Sequence, residues 1–508
     1  MNIGSYLALN ARRHPEKMAL TFNERQYSYE QFNKKVNQFA NGLLKLGLKK
    51  GEKIALMLKN SDYFAISYFA AAKIGAVIVP VNFRLVTREV CYILDQSDSV
   101  IVVCDEELDQ LVFEAKQKVS SIRQVITVLN PIVQEHLPFN DVLSLNENEP
   151  GVEVKGSDDL HIMYTSGTTG QPKGAVFDHE RVVKIVIGVT GMLGLQPQDK
   201  FLHVAPLFHI AQLCIFLIPG FFLGTSHVIH QEFNPVEVAK SIEKERITLF
   251  FGVPTMYNYL LQVSDVKKYD FSSVKRCGYG AAPMAPELVK QSMDLFQTDQ
   301  FYNLCGLTEG GPSGIYLTPE DHKIKLGKSG KNPLLFTEVK IVDEDGKDVP
   351  PGIVGEMILR GETIMKEYYK KPKETEKTFR NEWLYTGDLA VKDEDGYITL
   401  VDRSKDMVIS GGENVYSIEV ENVLYEHPDI QEVAVIGTPD PEWGEVVTSV
   451  IVSKLGKTIS EKEIESFCRS RLAGYKIPRK VIFVDELPRN TSGKIQKYKL
   501  REQFRVKA

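Results

Sequence analysis

Over residues 1 to about 160, short apolar runs alternate with longer amphipathic segments. Lys53 to Met57 reads as a strand, Tyr63 to Lys73 as a helix rich in alanine and aromatics, and Ala76 to Val81 as a strand. Thr87 to Gln96 then reads as a helix and Val100 to Val103 as a strand. The apolar run Leu160 to Met163 reads as the end of a further strand. The alternation resumes downstream, with strands at Lys200 to Val204 and Thr248 to Gly252 and helices at Pro235 to Glu245 and Pro254 to Val263. Such βαβ alternation predicts a doubly wound α/β fold, a parallel sheet covered by helices on both faces. Met1 to Leu7 offers only Asn2 and Ser5 as capping residues for a first helix.

The pattern shifts near residue 320. Short β-like runs at Glu338 to Val342, Gly355 to Arg360 and Gly396 to Val401 are separated by the turn signals Asp345-Gly346, Pro351-Gly352 and Asp395-Gly396, which predicts a small β-subdomain. After Arg403 the pattern becomes mixed α/β: a helix at Ser417 to Tyr425, strands at Ile430 to Gly437 and Val447 to Val452, and a helix at Ser460 to Leu472. We place a hinge at Asp402 to Lys405, dividing a large domain, 1–403, from a small mobile α+β domain, 404–508.

Composition narrows the function. The 508 residues are 43% hydrophobic and 25% charged, ordinary for a multidomain globular protein. A net charge of −6 without a long basic run gives no support for nucleic acid or an anionic membrane as partner. Cys91, Cys104, Cys214, Cys277, Cys305 and Cys468 form no C-x-x-C pair, and no basic-then-apolar leader is present, so the chain reads as a reduced, cytoplasmic protein. Phe201 to Gln231 lacks Asp, Glu, Lys and Arg, but Pro206, Pro219, Gly220, Gly224 and several histidines interrupt it. A membrane helix needs about 20 consecutive apolar residues, so this run reads as buried core and not as an integral membrane segment.

The segment Tyr164-Thr165-Ser166-Gly167-Thr168-Thr169-Gly170-Gln171-Pro172-Lys173-Gly174 carries the strongest chemical signal. Glycines let backbone N–H groups turn inward, the hydroxyls add donors, and Lys173 supplies a point charge, which together suit a polyphosphate. The spacing is neither G-x-x-x-x-G-K-S/T nor G-x-G-x-x-G. On composition alone the stretch also reads as a flexible surface loop.

In order along the whole chain, these residues and six further segments resemble the acyl-adenylate-forming superfamily, which includes acyl- and aryl-CoA synthetases, adenylation domains of peptide synthetases and firefly luciferase. The six are Pro206-Leu207-Phe208-His209, Gly278-Tyr279-Gly280-Ala281-Ala282-Pro283, Tyr302 to Glu309, Trp383 to Leu389, Asp402 to Asn414, and Pro488 to Lys494. The resemblance implies that Thr165, Ser166, Gly167, Thr168, Thr169, Gly170 and Lys173 cradle ATP phosphates, and that Gly280, Ala281 and Ala282 lie along the adenine and acyl group. It puts Thr308 on phosphate, Glu309 (with Thr168) on Mg²⁺, and Asp388 and Arg403 on ribose. His209 falls where the acyl and nucleotide pockets meet, and Lys494 matches the lysine that reaches carboxylate and α-phosphate. Lys405 falls at the hinge, Gly411 and Gly412 beside the pantetheine tunnel, and Trp443 and Arg84 where CoA is met. Taken alone, His209 reads more often as a core histidine, Asp388 as a surface residue after a turn and Lys494 as a solvated charge. One departure stands out: Cys305 occupies the usual tyrosine position, and stacking on adenine is worth about 1 to 3 kcal/mol by analogy with base stacking.

The chemistry fits these residue types. A carboxylate attacking the α-phosphate of ATP joins two anions, so catalysis needs positive charge and positioning more than a nucleophilic side chain. The implied products are acyl-AMP and pyrophosphate, followed by thioester formation with CoA. The uncharged run and the aromatics Phe208, Phe216, Phe221 and Phe222 predict an apolar acyl pocket for a medium- or long-chain fatty acid. The competing readings are an aryl-acid ligase of coumarate or succinylbenzoate type, a stand-alone enzyme loading a carrier protein, a luciferase-like oxygenase, and a non-catalytic nucleotide-binding regulator. Either a monomer or a homodimer is consistent with the sequence.

Overall fold

The computed structural model describes residues 2–165, 171–312, 314–403, 406–410, 413–489 and 495–504. Two large sheets form the N-terminal part. The first has nine strands, ordered Asn332–Pro333, Gly314–Leu317, Phe301–Gly306, Arg276–Gly280, Leu249–Gly252, Lys200–His203, Ser226–Ile229, Met18–Phe22 and Arg25–Ser28. The second has seven, ordered Leu137–Pro138, Gln124–Thr127, Ser99–Cys104, Lys53–Met57, Val77–Pro80, Asp159–Thr165 and Lys173–Asp178. Both are parallel through the centre, with antiparallel strands at both ends of the nine-stranded sheet and at one end of the seven-stranded sheet. The central strands Lys53–Met57 and Leu249–Gly252 are almost wholly buried, as the continuous apolar runs require when helices cover both faces.

The helices begin and end where local chemistry dictates. Asn2 caps Ile3–Arg13 by accepting from the Ser5 N–H at 2.9 Å. Ser28 and Gln31 form a reciprocal capping box on Tyr29–Lys45, and Gly75, at φ 66°, closes Asp62–Ile74 in the left-handed conformation. One contiguous core joins the sheets: Phe32, Phe39, Phe64 and Phe69 of the helices pack with Phe177, Phe201, Phe216 and Phe221. The uncharged run folds as a π-helix, Ala211–Leu217, continuing into the helix Ile218–Leu223, and is largely buried, in agreement with its reading as core. Among the described residues no helix is long and apolar enough to cross a membrane.

The β-subdomain is an antiparallel sheet of Thr337–Val342, Val354–Gly361, Phe379–Arg380, Trp383–Lys392 and Ile398–Arg403. Gly346, Gly352 and Gly396 take positive φ at its predicted turns. A separate sheet of Val408–Ser410, Glu413–Val415, Ile430–Asp440, Gly444–Ser453 and Lys480–Phe483, with helices Ser417–Tyr425 and Glu461–Arg469 on it, forms the smaller C-terminal part.

Candidate active site

A cavity of about 580 Å³ opens between the C-terminal ends of the two large sheets, the β-subdomain and the C-terminal part. Thr165 and Lys173, paired across the strands Asp159–Thr165 and Lys173–Asp178, stand at its wall. Thr165 ends one strand and Lys173 begins its antiparallel partner, and Lys173–Asp178 is a strand that the apolar pattern did not announce. Ser166, Gly167, Thr168, Thr169 and Gly170 lie outside the described residues, as do Lys405, Gly411, Gly412 and Lys494.

The lining includes His209, Ala281, Thr308, Glu309 and Arg403. Ala281 takes φ 65°, a left-handed conformation unusual for a residue with a Cβ and concentrated at functional sites. Beside it a Cβ on Gly280 would come within 2.2 Å of the Leu304 carbonyl oxygen, which explains the glycine by close packing of neighbouring strands. Gly280 and Ala282 are not part of the lining. Asp388 also stands outside it, buried behind Thr386 and Gly387, and accepts from Arg403 Nε at 2.9 Å. Cys305 packs against the apolar cluster of Ile315, Ile341, Met357 and Ile398 in place of lining this cavity.

His209 keeps one face toward the cavity while dense surroundings push its imidazole pKa down to about 4, so the ring is neutral near pH 7. Its Nδ1 accepts from the Ala211 N–H at 3.3 Å, which leaves Nε2 as the protonated nitrogen. Glu309 Oε1 accepts from Tyr368 Oη at 2.7 Å, and Lys173 Nζ lies 4.2 Å from the centre of the same tyrosine ring. Among the described residues no cluster of three or more metal-ligating side chains exists. One carboxylate oriented by a hydroxyl does suit Mg²⁺, which keeps waters and takes further ligands from substrate phosphates.

Sequence reasoning missed several lining residues. Tyr368, Lys377, Arg380 and Tyr385 come from the β-subdomain and its approach, and Gln496, Lys497, Tyr498 and Arg501 come from the C-terminal helix and the residues before it. Apart from Tyr385, which lies within Trp383 to Leu389 but was given no role there, none sits in a motif that points to chemistry; only the fold brings them to the cavity. Lys497 Nζ is 2.7 Å from Glu421 Oε1 and 2.5 Å from Ser417 Oγ, and Asp402 accepts from the Ser417 N–H at 2.6 Å. Burial raises the carboxyl pKa of both Glu421 and Asp402, and Lys497 opposes the rise. Trp443 does not line the cavity, and the Arg479 guanidinium lies 4.1 Å from its ring centre. Arg84 does not line the cavity, although the neighbouring Asn82 and Leu85 do.

The opposite end of the cavity is apolar, formed by Met163, Phe208, Ile210, Ala211, Ile215, Phe251 and Leu304. Ile215 and Leu304 separate it from a small apolar cavity lined by Val189, Met192 and Leu334 among others. One cavity therefore joins a cationic, hydroxyl-bearing half to an apolar half, with a neutral histidine on its wall. The family model described as AMP-binding enzyme matches residues 7–369, and that of the AMP-binding enzyme C-terminal domain matches residues 419–494. The chain belongs to the AMP-binding enzyme family. It is an AMP-forming ligase of the acyl-adenylate-forming superfamily, similar along its length to acid–CoA ligases. A feruloyl-CoA synthase of Amycolatopsis is 35% identical over 503 residues, covering 99% of each chain. A long-chain-fatty-acid–CoA ligase of Mycobacterium tuberculosis is 36% identical over 506 residues, covering 99% of this chain and 98% of its own. The crystal structure of an anthranilate CoA ligase in complex with anthranoyl-AMP superposes with a TM-score of 0.93 at 30% identity, covering 100% of this chain and 98% of that one.

Proposed function

We propose that this AMP-binding enzyme condenses an apolar monocarboxylic acid with ATP to an acyl-AMP and pyrophosphate, then transfers the acyl group to CoA. The observation that carries the reading is the division of the cavity. Lys173, Arg403, Lys497 and Arg501 line one side, and the half from Met163 to Leu304 described above bears no charge. Cations there offset the repulsion between carboxylate and triphosphate. The neutral His209 donates through Nε2 to the acid's carboxylate, and Glu309, held by Tyr368, offers an oxygen to Mg²⁺. Mg²⁺ bound there would screen the phosphates.

We assign a medium-chain fatty acid as substrate. The apolar half favours a tail without a second charge, and Ile215 and Leu304 close its far end against a long chain. An aryl acid is the second reading, favoured by the aromatic walls Phe208 and Phe251. By resemblance, Lys494 serves adenylation, and rotation about Lys405 then presents Gly411, Gly412 and Trp443, with Arg84, to CoA.

The test is pyrophosphate release with ATP and Mg²⁺ across hexanoate, decanoate, palmitate, ferulate and o-succinylbenzoate, with and without CoA. Release highest with decanoate and stimulated by CoA supports the reading; preference for ferulate moves the assignment to aryl acids. No release with any acid overturns it.

A further inference from the structure

The backbone carrying His209 is held from the other sheet. Asn60 lies just beyond the strand Lys53–Met57, in the middle of the seven-stranded sheet, while Ala205 to His209 follows Lys200–His203 of the nine-stranded sheet. The Asn60 side chain is 3% exposed and spans the gap with both of its polar atoms. Its Nδ2 donates to the Ala205 carbonyl oxygen at 2.9 Å, and its Oδ1 accepts from the Leu207 N–H at 2.7 Å. The partners fix which atom is which, because a carbonyl only accepts and an N–H only donates.

This segment leaves a strand and enters a π-helix, so it has no ladder to satisfy its backbone. Pro206 has no N–H, and its carbonyl accepts from the His209 N–H at 3.1 Å. Ala205 and Leu207 flank that proline, and the single amide of Asn60 acts as a substitute peptide group for both. From Leu207 the chain runs through Phe208 to His209, whose Nδ1 is fixed in turn by the Ala211 N–H.

Asn60 is itself rigidly mounted. The Lys59 N–H donates to Asp105 Oδ2 at 2.6 Å, and Lys59 Nζ pairs with Glu107 at 2.7 Å and Glu232 at 3.0 Å. On the other side Ser61 caps Asp62–Ile74, and Asp62 takes two bonds from Arg25, at 2.6 and 2.7 Å. The segment carrying the amide is therefore tied to both sheets, through Asp105 and Glu107 beyond Ser99–Cys104 of the seven-stranded one and through Arg25 and Glu232 of the nine-stranded one, and the amide grips the histidine loop.

We propose that Asn60 is a positioning residue for the acid: it sets the height and orientation of His209 across the cavity, so the two sheets present acid and nucleotide in register. The inference rests on the reading of His209 as the acid-side donor. A displacement of order 1 Å at a reacting group costs roughly a hundredfold in rate. An effect confined to the acid is the signature that a general loss of structure would not give.

The test uses the full chain in steady-state pyrophosphate release, with decanoate and ferulate as probe acids, on Asn60→Ala, Asn60→Asp, His209→Ala and the double variant Asn60→Ala/His209→Ala. Asn60→Ala should raise KM for the acid or lower kcat by roughly ten- to a hundredfold, with KM for ATP within about twofold. Asn60→Asp keeps the acceptor for Leu207 and loses the donor for Ala205, so it should fall between wild type and alanine; it carries the same comparison if the alanine variant does not fold. Because Asn60 acts through His209, the double variant should be no slower than His209→Ala. Multiplicative losses, unchanged acid kinetics in Asn60→Ala, or equal changes in KM for ATP and acid would overturn the proposal. A fully active His209→Ala would instead overturn the reading of His209 on which it rests.

Discussion

Tyr368 and Glu309, 59 positions apart in sequence, meet through a 2.7 Å hydrogen bond from the tyrosine hydroxyl to the carboxylate, and Lys173 approaches the face of the same ring. Tyr368→Phe keeps the ring and removes only the bond. A hydrogen bond to a charged group is worth about 1.5 to 3 kcal/mol, so the turnover of pyrophosphate release should fall about tenfold or more. The Mg²⁺ concentration for half-maximal rate should rise as well. An unchanged Mg²⁺ titration would show that Glu309 does not depend on Tyr368.

Asp388 accepts from Arg403 at 2.9 Å behind Thr386 and Gly387 of the cavity wall. Asp388→Asn preserves its shape and removes the charge that holds Arg403. KM for ATP should rise about tenfold while KM for the acid stays within twofold, equivalent to about 1.4 kcal/mol lost at the nucleotide alone. A matching rise in KM for the acid would assign the pair to structure instead.

Ile215 stands between the apolar half of the cavity and the smaller apolar space beside Val189, Met192 and Leu334. Ile215→Ala should join the two and move the best substrate to a longer chain, read as kcat/KM across hexanoate to dodecanoate. Removing those buried carbons should also cost roughly 2 to 5 kcal/mol of stability. A shift toward shorter acids would place the acyl tail elsewhere.

Stability should fall as pH drops below about 6.5. Burial pushes His161 and His203 down to about 3 and His179 and His209 down to about 4, and His227 lies well below the ordinary value. The Nε2 atoms of His161 and His179 are buried without a partner. Between the ordinary value and these depressed ones the unfolded chain binds protons that the native state refuses, so stability rises with pH in that window and is lost on acidification. Each such histidine contributes a slope of at most about 1.4 kcal/mol per pH unit. Urea midpoints at pH 7.5, 6.0 and 5.0 should decline in that order, and a flat series would contradict the buried neutral rings.

By resemblance to the superfamily, Lys405→Pro should spare acyl-adenylate formation and cripple thioester formation, whereas Lys494→Ala should damage adenylation selectively. Single-turnover measurement of each half-reaction separates them. Equal losses in both half-reactions for Lys405→Pro would refute the hinge assignment.

Much of the architecture was legible because burial on both faces of a parallel sheet writes itself as local apolar runs. Thr87–Gln96, Pro235–Glu245 and Ser417–Tyr425 fall where the pattern predicts, and Lys53–Met57 likewise. The strand Lys173–Asp178 and the π-helix Ala211–Leu217 were not legible. Strand pairing after a turn is decided by a distant partner, and an apolar run without charges carries no periodicity to distinguish one helical form from another.

The candidate site divides in the same way. Thr165, Lys173, His209, Ala281, Thr308, Glu309 and Arg403 were read from motifs that resemble those of the superfamily, whose residues stand at fixed local spacing, and all of them line one cavity. Tyr368, Lys497 and Asn60 were not, since each meets a partner far away in sequence: Tyr368 meets Glu309, Lys497 meets Glu421, and Asn60 meets a loop 145 residues on. The sequence by itself determined the family, the βαβ layers and the residues with local chemical signatures. The tertiary structure alone decided which side chains orient them, because a hydrogen bond across two sheets depends on where the sheets meet and leaves no periodicity in the chain.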